Sequence, residues 1–338
     1  MATESDSRSA DLADLEALRE GVGLVDLSSR GRLELIGADR LRFLNGLVSC
    51  EVKSLATGSG TYGFFTTFQG KVMADFALLA FEDRLWLDLP EGPPGLDDEI
   101  AAHLAKYLIA DRVEIRRLDG VAPLAIVGPG LADLLPELSS LPGGPWGHGK
   151  AEIDGVEVEL SRHPRLGAPG AIAWAPSDSI ERLTEVLNRR GARGARSASF
   201  DALEILRIEA GVPRFGADFG PENFPQETGL EEAGVSYTKG CYLGQEVVAR
   251  IHYRGGVQRS MRGLRFEGGI PERGAVLSFE GREAGTVGSA ADSPRFGRIG
   301  LAVIHKRAAA AGTRLTLPDG ALAEVVELPF TQPSEVAP

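Results

Sequence analysis

The string Lys239-Gly240-Cys241-Tyr242-Leu243-Gly244-Gln245-Glu246 sets one of only two cysteines in 338 residues between two glycines, just before a helix that reads as opening at Gln245. A thiol at a helix mouth meets unpaired backbone N–H groups and the positive end of the dipole, and both favour thiolate. Lys239 adds a cation two residues away, and the glycines permit turns that bulkier residues resist. The bland alternative is a small buried cysteine packed in a glycine-rich turn. Nucleophilic catalysis by Cys241 needs a base within hydrogen-bond reach. No histidine forms a motif with it: His252 lies roughly three turns, about 16 Å, farther along a continuous helix.

Other polar groups offer binding rather than bond making. Glu227, in Pro225-Gln226-Glu227, sits in a loop where no capping duty is apparent, so it either faces a cavity or lies on the surface. Glu246 either meets the helix dipole or touches a ligand. A carboxylate suits an amino-pyrimidine ring because it accepts two parallel N–H bonds. Arg250, Arg254, Arg259, Arg262 and Arg265 follow the motif, and their planar forks fit carboxylates or phosphates equally. A second set, Arg189, Arg190, Arg193 and Arg196, reads as solvated surface. No His-x3-His or Cys-x2-Cys spacing occurs, so no metal site is expected. Two cysteines also cannot supply the four thiolates of a private iron–sulfur cluster.

The string resembles the K-G-C-[YF]-x-G-Q-E signature of the YgfZ family, folate-binding relatives of the glycine-cleavage T-protein associated with iron–sulfur protein maintenance. The likeness continues through Arg207-Ile208-Glu209-Ala210-Gly211-Val212-Pro213-Arg214-Phe215-Gly216, Phe224-Pro225-Gln226-Glu227 and Gly229-Leu230, with Gly21 to Ser28 and Gly128-Pro129 as earlier landmarks. It implies an α+β, T-protein-like fold: two interleaved α+β folate-binding domains around a central cavity (10–256) and a C-terminal six-stranded β-barrel (257–330). It implies tetrahydrofolate as cofactor, Cys241 as the working thiol at the folate cavity, and Lys239, Tyr242, Gln245, Glu246, Glu227 and Arg250 as binding residues. The partners it implies are iron–sulfur enzymes, among them those that thiolate tRNA, met by a monomer.

The alternative within this resemblance is a folate-dependent aminomethyltransferase, the T-protein itself. T-proteins position the folate nitrogen with an aspartate in a Gly-Gly-x-x-Asp-Asp-Leu-like stretch. The matching stretch here, Gln69-Gly70-Lys71-Val72-Met73-Ala74-Asp75-Phe76, sets Ala74 at the catalytic position and Asp75 at the second acidic one. The T-protein glutamate that anchors the pterin falls near Gly170-Ala171-Ile172, where no acid stands. Both departures count against aminomethyl transfer and leave an accessory role as the expectation. Stacking surfaces for a flat pterin are sought among Trp174, Tyr237, Tyr242 and Phe224. A weaker third idea, a thiol redox protein, requires Cys50 to lie close to Cys241 in space.

Composition narrows the setting. A net charge of −12 opposes nucleic acid and anionic membrane, so no direct nucleic-acid contact is expected. No apolar run reaches the length of a membrane span, and the polar, acidic Met1 to Ala10 lacks a signal-peptide pattern. The expected compartment is the cytoplasm. No disulfide framework exists.

The elements that must carry these residues are legible from periodicity. Leu12, Leu15 and Leu18 mark a helix over 11–20, and further helices fit 39–48, 97–110, 177–190 and 200–210. Strands fit 62–68, 71–81, 84–89 and 121–127. The first ten and last eight residues read as loose termini. Beyond Gly255-Gly256, six short strands at 262–266, 275–279, 284–290, 298–304, 313–317 and 322–328 predict a small barrel or sandwich.

Overall fold

The computed structural model describes residues 4–190 and 195–331; Arg193 and the stretch after Thr331 lie outside the described residues. The chain opens on α1 (Glu4–Glu20), which starts earlier than its leucine spacing suggested and buries Leu15 and Leu18. Then β1 (Gly23–Asp26) enters a sheet that the chain at once abandons. A second sheet follows from β2 (Arg32–Ile36), α2 (Arg40–Asn45), β3 (Ser59–Thr66), β4 (Val72–Ala80), β5 (Arg84–Asp88), α3 (Leu96–Ala105) and β6 (Glu114–Arg117). The chain then returns through β7 (Val121–Val127), α4 (Leu131–Leu134), β8 (His148–Ile153), β9 (Val156–Arg162), β10 (Gly170–Pro176), α5 (Ile180–Arg189) and β11 (Arg196–Ser197).

The resulting orders are β11-β1-β7-β10-β9-β8 and β3-β4-β5-β2-β6. In β9 the run Val156-Glu-Val-Glu-Leu alternates apolar and acidic side chains, as a strand with one core face requires. In β4 alternation gives way to a nearly continuous buried run, because the sheet is covered on both sides there. Next comes α6 (Phe200–Glu209). Its first turn is capped by Ser199 Oγ, which accepts from Ala202 N–H at 3.2 Å, and it is stopped by Gly211 at φ 66°. Short helices α7 (Glu231–Gly234) and α8 (Gln245–Arg250) follow, the latter continuing as a π-helical turn over Ile251–Gly255.

The C-terminal third is a closed antiparallel barrel of β12 (Arg259–Phe266), β13 (Val276–Phe279), β14 (Arg282–Ser293), β15 (Gly297–His305), β16 (Arg314–Thr316) and β17 (Leu322–Val326). All six expected strands are present with ends shifted by a few residues. Arg207 joins the barrel to α6, since its guanidinium donates to Ser289 Oγ on β14 at 2.7 Å.

Candidate functional site

Strand register brings a row of side chains to the floor of a cavity. Tyr62 on β3 lies opposite Ala77 on β4, and Ala77 lies opposite Asp88 on β5. Because successive side chains point to opposite faces, Asp75 shares the face of Ala77, and Ala74 turns into the core. Tyr62, Asp75, Ala77 and Asp88 line the cavity, with Trp146, His163 and Arg165 from the other sheet's connections and Arg207 and Arg214 at and beyond α6.

Asp75 is buried. Its Oδ2 accepts from Tyr62 Oη at 2.6 Å, and its Oδ1 has no partner. Burial pushes its pKa up, with Arg165 and the Tyr62 hydroxyl opposing. Asp88 is more isolated. Arg30 Nη2 stands 3.2 Å from its Oδ2, near enough for charge attraction, yet neither oxygen receives a hydrogen bond. Burial raises the Asp88 pKa to about 6, against the pull of Arg30 and Arg32. His163 is pushed well below its usual value, first by burial and then by Arg30 and Arg165, so its ring is neutral.

Aromatic planes bound the same space. Trp146 lies nearly parallel to Tyr62 (9° between rings, centroids 6.4 Å apart), and the Arg165 guanidinium sits 4.1 Å over the Tyr62 ring. The water-accessible interior is about 80 Å³ inside an open depression of about 650 Å³, so a bicyclic ring must displace side chains to enter. At the rim, Arg207 is held by Glu204 and Asp218, each at 2.7 Å, and Arg214 by Glu204 at 2.9 Å. A floor with partnerless carboxylate oxygens, flat walls and a cationic rim suits a planar ring rich in N–H donors with an anionic tail.

None of the residues singled out in the Cys241 region lines this cavity. Cys241 is exposed, in the turn before α8, whose cap is Gly244 at φ 83°. Lys239 does not serve the thiol: its Nζ donates to the carbonyls of Asn45, Val48 and Cys50 at 2.8, 2.9 and 2.5 Å. Thr66 Oγ1 donates to Leu243 O at 2.6 Å, seating the loop on β3. Tyr242 packs under the turn with its hydroxyl unpartnered, Gln245 is half-buried, and Glu246 pairs with Arg250 at 2.7 Å on the exposed side of α8. His252 engages Glu231 at 2.8 Å and stacks on Tyr237. Cys50 is buried, its thiol pushed up to about 12.

Glu227 does have a capping duty. Its carboxylate accepts from the Phe224 N–H at 3.1 Å and from Asn223 Nδ2 at 3.3 Å, closing the turn over Pro225–Glu227. Proline at the first helical position with glutamate two residues later was the signal for it. Tyr62 and Trp146 are among the rings that line the cavity, and Trp174 is not; its indole N–H donates to Ser161 Oγ at 3.0 Å.

A family model described as the GCVT N-terminal domain matches residues 3–238, and one described as the glycine cleavage T-protein C-terminal barrel domain matches residues 259–332. The chain belongs to the glycine-cleavage T-protein family. An aminomethyltransferase of Desulfitobacterium hafniense is 30% identical over 311 residues, 89% of this chain and 83% of that protein. One from Caldanaerobacter subterraneus is 28% identical over 90% of this chain and 82% of its own length. An Arabidopsis thaliana protein named a putative chloroplastic transferase is 28% identical over 94% of this chain and 73% of that protein. The crystal structure of the glycine cleavage system aminomethyltransferase T from Bartonella henselae shares the fold, with a TM-score of 0.82 at 24% identity over 95% of this chain and 89% of that one.

Next to Ala74 on β4, a buried carboxylate does face the cavity. Sequence comparison put Ala74 at the catalytic position, but the pleat of β4 turns Ala74 away and presents Asp75 to the cavity. At 170–172 no acid replaces the T-protein glutamate, and Ile172 is sealed in an apolar cluster. Among the described residues no group of three or more His, Cys, Asp or Glu side chains is placed to hold a metal, and no helix is long and apolar enough to cross a membrane.

Proposed function

We propose that the cavity around Asp75 binds tetrahydrofolate and that the protein handles a folate-borne one-carbon unit there, in the manner of an aminomethyltransferase. The observation that carries this reading is the buried Asp75 carboxylate, one oxygen held by Tyr62 and the other partnerless and turned to the cavity. The names of the similar curated proteins point the same way. Bound tetrahydrofolate supplies the nitrogens that accept or release the one-carbon unit. With tetrahydrofolate bound, Asp75 would be the acceptor for the N–H of the reacting nitrogen and would orient it. Arg165 opposes the burial that pushes the Asp75 pKa up. Calorimetric titration with tetrahydrofolate, run beside a turnover assay with an aminomethylated lipoyl carrier, tests this. Absence of folate binding sinks the reading, and binding without turnover removes the transferase half of it.

A second reading rests on Cys241. Cys241 is exposed on a loop held firmly from below and does not line the cavity. Together with the K-G-C-Y-L-G-Q-E string, this supports a YgfZ-like accessory role in the cytoplasm, in which folate occupies the same cavity and an iron–sulfur enzyme, such as one that thiolates tRNA, meets Cys241 from outside. In cells lacking their own homologue, loss of rescue by Cys241→Ser with folate affinity unchanged supports it; full rescue reduces the loop to a structural turn.

A further inference from the structure

We infer that Asp88 is the anchor for the ligand's N–H edge: the amino-pyrimidine side of a reduced pterin docks on the Asp88 carboxylate while Asp75 faces the nitrogen that bears the one-carbon unit. The inference rests on the folate reading. It assigns the task to a residue on β5, since β10 carries no acid at 170–172.

The first support is an imbalance. Both Asp88 oxygens are buried without a hydrogen bond, although the residue is only 3% exposed. A buried carboxylate in that condition is costly and rare in a finished core, and a ligand with two parallel N–H donors supplies what is missing. The second is position. Asp88 is directly opposite Ala77, two residues along β4 from Asp75, so the two carboxylates are diagonal neighbours on one face, roughly 7–8 Å apart by sheet geometry. One flat ring lying on the floor spans both. The third is a comparison among the acids around this cavity. Glu204 is committed to Arg207 and Arg214, Glu91 and Asp75 each accept a hydrogen bond at one oxygen and keep the other partnerless, and Asp88 alone has both oxygens without one. Arg30, 3.2 Å away, helps keep Asp88 anionic once the ring is bound.

The test compares tetrahydrofolate with its 2-desamino-2-methyl analogue, which lacks the exocyclic amino donor, by calorimetry on the full chain. The wild type should prefer the amino compound at least tenfold. Asp88→Asn, which keeps the shape, should weaken tetrahydrofolate roughly 10- to 100-fold, as loss of charge-assisted bonds implies, and should bring the preference near unity. Asp75→Asn should keep the preference. Asp88→Ser provides the same comparison if the asparagine variant does not fold. Retained preference in the Asp88 variants, or its loss in Asp75→Asn, overturns the assignment and leaves the folate reading standing. No binding of either compound by the wild type overturns both.

Discussion

In the cavity the polar atoms are buried and left partly unpaired; at the Cys241 loop the reactive atom is exposed and the cation beneath it is fully engaged. Asp75 and Asp88 present partnerless oxygens to the cavity, whereas Lys239 spends its ammonium on three carbonyls to hold a turn whose cysteine is exposed. On the readings proposed above, the cavity takes a ligand in and the loop meets a partner from outside. If the two regions are independent, damage to one should leave the other's readout alone.

The largest effect is expected for Asp75→Asn, which should lower one-carbon turnover by about 10²- to 10⁴-fold, the scale of losing a positioned acid–base group. Rescue in cells that depends on Cys241 should be unaffected by it if the thiol works alone. Next is Lys239→Met, which leaves three carbonyls short of a donor and should cost about 3 kcal/mol in urea unfolding. Folate affinity should stay within about twofold of wild type, and a larger loss breaks the separation of the two regions.

Asp88→Asn should stabilise the free protein while weakening folate. The native pKa of Asp88 is about 6, above its ordinary 3.8, so between these values the folded state keeps a proton that the unfolded chain has released. Stability therefore falls as pH rises through that window and stays low above it. The variant lacks this loss, so its advantage should be absent near pH 4 and reach about 1–2 kcal/mol at pH 7.5, the lost pairing with Arg30 offsetting part of it. Denaturant melts at the two pH values check the sign. The smallest effect belongs to Cys241→Ser, whose exposure should hold its cost within about 0.5 kcal/mol and leave folate titrations unchanged.

The barrel was legible because its strands are short, evenly spaced and divided by glycine, proline and aspartate turns. The helices at 180–189 and 200–209 were legible for a similar reason, their period being unbroken. Strands β1, β2 and β8 to β10 were not read, since Leu33-Glu34-Leu35 is too short for its period to stand out and pairing across distant segments decides the sheet. The site followed the same divide. Lys239 next to Cys241 looked like electrostatic help, but its partners come from residues 45–50, some 190 positions earlier. Asp75 and Ala74 differ by one residue, and only the pairing of β4 with β3 and β5 shows which enters the cavity.

The early departure of β1 from its sheet has a consequence for synthesis. Its partners are β7, about a hundred residues later, and β11, which pairs through Arg196 and Ser197. A chain emerging from the ribosome can close the second sheet first, while β1 and α1 wait; α1 finds its counterpart only when Glu209 arrives to meet Arg19. Such distant pairing slows folding and leaves an unpaired strand edge and apolar helix face open to wrong contacts. The barrel closes from residues 259–326 alone. The barrel is therefore free of this delay, and a nascent chain halted before residue 200 should be the species that calls most on chaperones.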